Sequence, residues 1–182
     1  LQDGWWVTGL ARRTPALEHE RFEAIGVDLG HPAELPGLAT DTLQPLLTDS
    51  SCERIALVNN AAAIGSLRRL RATDPVELHS LFAVNATAPI YLAGFCAAHC
   101  PPERTLRIVN LSSGAAHSPF PGLGDYSATK AALRLAGRTL AAELEHDGRT
   151  ARQAAVFSYE PGIVATAMQV EARAQDPDEF PA

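Results

Sequence analysis

The chain has 182 residues, 46% hydrophobic and 20% charged, an ordinary balance for one globular domain with a sizeable core. A net charge of −6 argues against a nucleic-acid surface, which needs a basic face, and no apolar run approaches a membrane span or reads as a secretory signal. Cys52, Cys96 and Cys100 make no disulfide pattern, which points to a reducing, cytoplasmic setting. Cys96, His99 and Cys100 read as helix residues rather than metal ligands, because the rest of a zinc site is lacking.

Residues 4–10 (GWWVTGL) read as a short strand of aromatic and β-branched residues ending in Ala11-Arg12-Arg13. Thr8-Gly9 is followed by no glycine up to Pro15, so the backbone there lacks the means to wrap a pyrophosphate. Residues 21–27 predict a second strand, followed by Asp28, a capping residue. Residues 31–51 predict a loop and a helix over 38–47, and residues 54–58 a third strand running into Asn59-Asn60-Ala61-Ala62-Ala63. Asp74-Pro75 is a strong helix start, and apolar residues recur at helical period through Cys96. Asn85 stands in the middle of that pattern, where a buried amide needs a partner. Residues 106–111 predict a strand leading to Ser112 and Ser113, residues 125–145 a long Ala- and Leu-rich helix, and residues 153–158 a further strand before Pro161-Gly162. The tail after Gln175 reads as loop. No internal repeat or linker appears, so residues 1–182 read as a single domain.

The chain is organised around the stretch from Ser112 to Lys130. If its end is helical, Tyr126 and Lys130 lie four apart and face the same way. A phenol beside an ammonium is a tuned proton donor. Bringing a Tyr from ~10 to near neutrality needs ~4 kcal/mol, which a cation at ~4 Å in a semi-polar site supplies. Ser113 follows a predicted buried strand and can point at the same substrate oxygen. His117 has no nucleophile to pair with and reads as pocket lining or surface.

Asn59-Asn60-Ala61, Asn85, Ser113, Tyr126 with Lys130, and Pro161-Gly162 resemble, in order and spacing, the short-chain dehydrogenase/reductase family. Tyr-x-x-x-Lys alone is weak; five separated elements in agreement are specific. VNLSS at 109–113, PFPGLG at 119–124 and EPGIVATAMQ at 160–169 are similar to the sepiapterin reductase and benzil reductase branch. The resemblance runs from about residue 4 to about residue 175. It implies an α/β fold: a doubly wound, Rossmann-type parallel sheet with helices on both faces. Asp28 follows the strand at 4–10 at the interval expected between the family's second and third strands. The first strand-helix unit, with its glycine-rich loop, and the C-terminal end are therefore expected to be missing from these residues.

The same resemblance implies the site. Tyr126 is the proton donor, Ser113 binds the reacting oxygen, Lys130 lowers the Tyr pKa and binds the nicotinamide ribose, and Asn85 kinks its helix and supports a water relay. Arg12 and Arg13 stand where an acid would bind the ribose hydroxyls of NAD and fit a 2′-phosphate, so the cofactor is NADPH. Asp28 and Leu29 meet the adenine. Asn59 and Ala61 form a turn against the cofactor, with Ala62 replacing the usual glycine, and Pro161, Gly162, Val164 and Thr166 close over the nicotinamide. The helices starting at 74 and 125 imply a homodimer or homotetramer. The reading is an NADPH-dependent carbonyl reductase for a small ketone or dicarbonyl, with no nucleic-acid, membrane or metal partner. A non-catalytic dimerising protein, motivated by the missing glycine loop, is the alternative; an intact Ser-Tyr-Lys set argues against it.

Overall fold

The computed structural model describes residues 4–13 and 15–162. Five strands form, each within a few residues of its predicted place: β1 (Val7–Ala11), β2 (Phe22–Gly26), β3 (Arg54–Asn59), β4 (Thr105–Leu111) and β5 (Ala154–Tyr159). All pairings are parallel, but in two sheets: β1 with β2, and β3-β4-β5 with β4 central. Among the described residues the expected single sheet is thus divided between β1 and β3. A cavity of about 1020 Å³ occupies the division, lined by Val7 to Arg13 on one side and Ile55 to Ala63 on the other. At its amino end the Arg54 guanidinium lies over the Trp5 ring, 5.2 Å from the centroid.

The helices form where the sequence allows them to start. Pro32, Pro36 and Pro45 each stand at the opening of a helical segment, so one interrupted helical run extends from Pro32 to Thr48. It includes α1 (Leu35–Leu38) and α2 (Gln44–Thr48), and is longer than the predicted 38–47. α3 (Pro75–Phe82) opens on Asp74, whose carboxylate accepts from the Val76 and Glu77 amides at 2.8 and 3.0 Å. A π-helical turn, Ala83–Thr87, joins it to α4 (Ala88–His99). The joined helix, Pro75–His99, is long and apolar enough by length and composition to cross a membrane, which corrects the reading that no apolar run reaches that length. Half of its most apolar stretch is buried inside the protein, as in a core helix. α5 (Gly124–His146) follows β4 and is nearly as long as the joined helix.

One core gathers Leu43 and Leu47 with α4 residues Leu92 and Cys96, β4 residues Leu106 and Ile108, and Leu144 of α5. These helices therefore pack on one face of the three-stranded sheet. On the opposite face the cross-strand row Val58, Val109, Phe157 is left partly open, with Val58 57% exposed. Among the described residues these helices lie on the face of the sheet away from that row.

α5 approaches β4 closely because Gly137 carries no side chain: a Cβ there would meet the buried Asn110 amide nitrogen at 2.8 Å. Alanine would gain about 1 kcal/mol of helix propensity. Overpacking costs about 1–3 kcal/mol, and Asn110 also holds Asn59. Gly137→Ala should therefore lower the urea midpoint at unchanged m-value. A raised midpoint would mean that α5 can withdraw freely from the sheet.

Candidate active site

The site is built at the carboxyl ends of the strands. Asn59, the last residue of β3, donates its side-chain amide to the side-chain amide oxygen of Asn110 at 2.8 Å and to the Pro89 backbone carbonyl at 3.3 Å. It steadies β3 against β4 and α4, as expected. The turn that follows is held by Asn85, which is fully buried in the π-helical turn. Asn85 accepts from the Ala63 amide at 2.8 Å and donates to the Ala63 carbonyl at 2.8 Å. It donates also to the Thr129 hydroxyl at 3.1 Å, and that hydroxyl donates to the Tyr126 carbonyl at 2.7 Å. One amide thus joins the β3 turn to the opening of α5. This satisfies the requirement that a buried polar group find partners.

Ser113 ends the extended run after β4 and caps a 3-10 turn, Gly114–Ala116, accepting from the Ala115 amide at 3.2 Å. Tyr126 and Lys130 share one face of α5, with the ammonium 5.7 Å from the phenol ring centroid. Lys130 is buried and donates to the Leu111 carbonyl at 2.8 Å. Burial, which disfavours the charged form, brings its pKa down to about 8. The same cause raises Tyr126 above its ordinary value, opposed by a hydrogen bond with the Ser113 hydroxyl. This reverses the expected direction. Lys130 spends its bond on the Leu111 backbone carbonyl, and desolvation of the phenol outweighs the Ser113 hydrogen bond.

The cofactor-side residues come together elsewhere. Arg12, Arg13, Asp28, Leu29, Asn59 and Ala61 all line the large cavity between β1 and β3. Arg12 and Arg13 are exposed at the end of β1. Asp28 accepts from the Gly30 amide at 2.8 Å and lies 4.0 Å from the His31 ring nitrogen, so it closes a turn before the helical run, whose N-cap is His31 and not Asp28. Gly162 takes a φ of +74°, in the left-handed region that favours glycine, directly after Pro161. Val164 and Thr166 lie outside the described residues.

Three features escaped the sequence reading. Thr129 couples Asn85 to Tyr126. Asn110 is a polar residue at a buried position of an alternating strand, a signal that was available. Asp125, buried beside Gly65, accepts from the Tyr126 amide at 2.7 Å, and burial raises its carboxyl pKa.

Residues 10–177 match the family model for short chain dehydrogenase. The chain belongs to the short-chain dehydrogenase/reductase family. It is 28% identical over 184 residues to a benzil reductase ((S)-benzoin forming) of Bacillus subtilis, covering 99% of this chain and 73% of that one. It is 35% identical over 178 residues to the sepiapterin reductase of Bos taurus, covering 94% and 62%. The crystal structure of a short-chain dehydrogenase/reductase from Burkholderia vietnamiensis superposes with a TM-score of 0.77 at 27% identity, over 97% of this chain and 82% of that one. The chain thus spans less than two thirds of the bovine reductase. It is similar to the branch its motifs suggested, and an oxidoreductase of this family acts between an alcohol and a carbonyl.

The Lys130 pKa sets a pH dependence. Between about 8 and 10.5 the unfolded lysine is protonated while the folded one is largely neutral. The unfolded state binds more protons, so stability rises with pH across this window, by at most about 3 kcal/mol. Lys130→Met should flatten that rise when urea midpoints at pH 7.5 and 10 are compared. An unchanged slope would assign it to another group.

Proposed function

We propose that this chain carries the catalytic face of a cytoplasmic, NADPH-dependent carbonyl reductase for a small ketone or dicarbonyl. The observation that carries the reading is the convergence of Ser113, Tyr126 and buried Lys130 where β4 meets α5. The names of the relatives favour a small aromatic diketone or a pterin side-chain ketone as substrate. The three cysteines are free thiols, as a reducing compartment leaves them.

A dinucleotide would lie across the carboxyl ends of β1 and β3, where Arg12, Arg13, Asp28, Leu29, Asn59 and Ala61 line the cavity. Arg12 and Arg13 would hold a 2′-phosphate by charge-assisted hydrogen bonds. Asp28 and Leu29 would meet the adenine, and Asn59 and Ala61 present backbone to the cofactor. Pro161, Gly162, Val164 and Thr166 would close over the nicotinamide, by resemblance to the family.

NADPH, when bound, supplies the hydride taken by the substrate carbon. Tyr126 gives its phenolic proton to the carbonyl oxygen. Its raised pKa keeps the donor protonated at neutral pH. Ser113 hydrogen-bonds the same oxygen as negative charge develops there. Lys130 fixes the phenol through the register of α5 and presents its ammonium to the nicotinamide ribose. Asn85, by holding Ala63 and Thr129, keeps the path that resupplies the proton in place.

The reductase acts as a homodimer or homotetramer in this reading. α4 and α5 leave an apolar groove with Ile90, Gly94, Ala136 and Leu140 in its wall, and Leu135 there is 64% exposed. A second copy would cover it.

Tyr126→Phe removes the proton donor with the fold kept. Reduction of an aromatic diketone should fall by about 10²-fold or more, the scale of general acid catalysis; unchanged turnover would sink the assignment. Replacing Arg12 and Arg13 by Ala should raise the dissociation constant for NADPH far more than that for NADH, and equal losses would remove both from cofactor choice.

A further inference from the structure

A charged cluster stands at the edge of the Ser113 turn, outside the residues assigned above. Glu160, the residue after β5, uses both carboxylate oxygens. One lies 3.1 Å from the His117 imidazole Nε2, and the other accepts from the Arg134 guanidinium. The Ser118 hydroxyl lies 3.3 Å from the second imidazole nitrogen and orients the ring. His117 hydrogen-bonding, with Arg134 nearby, holds the Glu160 carboxyl below its ordinary pKa. Each member belongs to a different part of the site. His117 ends the 3-10 turn that Ser113 begins. Arg134 is one helical turn beyond Lys130 on α5. Glu160 immediately precedes Pro161-Gly162.

Magnitude decides what such a cluster is for. All three side chains are between about a third and a half exposed. Exposed ion pairs contribute about 0–1 kcal/mol, too little to account for the fold. Orientation is a stricter requirement: a displacement of about 1 Å at a catalytic group can cost about 100-fold in rate. The Ser113 side chain is aimed by a turn only three residues long, through the Ala115 amide and through the Ala116 amide donating to the Ser113 carbonyl at 2.9 Å. The far end of that turn is the residue that Glu160 grips.

The geometry points to Glu160, His117 and Arg134 as positioning residues: a clasp that holds the Ser113 turn in register with Tyr126 and Lys130. The assignment rests on the reductase reading above. The clasp touches no reacting atom. It acts through Ser113, so its loss should appear in kcat rather than in KM, and should vanish once the Ser113 hydroxyl is gone.

The test is a double-mutant cycle on the full chain with NADPH and a small aromatic diketone. Unsubstituted protein that turns over no diketone overturns the reductase reading and this assignment with it. Given turnover, Glu160→Ala should lower kcat about 10- to 100-fold at nearly constant KM. In combination with Ser113→Ala it should add less than twofold to the loss from Ser113→Ala alone. His117→Ala should reproduce most of the effect, and His117→Gln, which keeps a donor near Glu160, should restore much of it. Thermal midpoints measured alongside should move by only a few degrees. If Glu160→Ala does not fold, His117→Ala and His117→Gln carry the cycle instead. Losses that multiply with that of Ser113→Ala, a rise in KM at constant kcat, or no rescue by Gln would overturn the clasp.

Discussion

A buried ammonium is costly to place, and among the described residues Lys130 is placed by its bond to the Leu111 carbonyl. That bond fixes α5 along its axis relative to the end of β4. Because Tyr126 is one turn earlier on the same helix face, fixing Lys130 also fixes the phenol. Leu111 is two residues before Ser113, so the same bond sets the distance between helix and turn. Were Lys130 to slide by one helical turn, about 5.4 Å, the phenol would leave Ser113 altogether. The lowered lysine pKa is the trace of the desolvation that this arrangement accepts.

The Asn85 network complements it from the other side. A π-helical turn carries one residue more than an α-helical turn, and here it lets a single amide serve the β3 turn and α5 together. Asn59 and Asn110 repeat the device across β3 and β4. Three amides at three strand or helix junctions thus hold the carboxyl ends in common register. The Asn110 amide nitrogen is buried without a further partner among the described residues, and the close passage of Gly137 accounts for its enclosure.

Much of this was legible in the sequence because it is local. Strand runs, the Asp74-Pro75 start and the Tyr126–Lys130 spacing are all set within a few residues, and family motifs placed Ser113, Asn85 and Asn59. The helical run from Pro32 was underread because proline normally ends a helix. Here each proline opens a segment, where its missing amide costs nothing. The direction of the Tyr126 shift was misread because a spacing of four says that two groups are neighbours, not which atom each one bonds. The Glu160 clasp carries no periodic signal: its arms reach 26 and 43 residues back along the chain. The separation of β1-β2 from β3-β4-β5 was not legible, because strand runs in a sequence do not state which edges pair.

That division has a consequence for how the protein behaves in company. Along the cavity, β1 and β3 each turn towards it an edge that pairs with no other described strand. Such edges are templates for any extended chain of suitable register, and natural sheets usually blunt them with charge, proline or a covering element. Val7 to Ala11 contains neither charge nor proline, and in β3 only Arg54 and its contact with Trp5 guard the entrance. At this seam backbone amides and carbonyls, rather than side chains, are what an extended segment would meet.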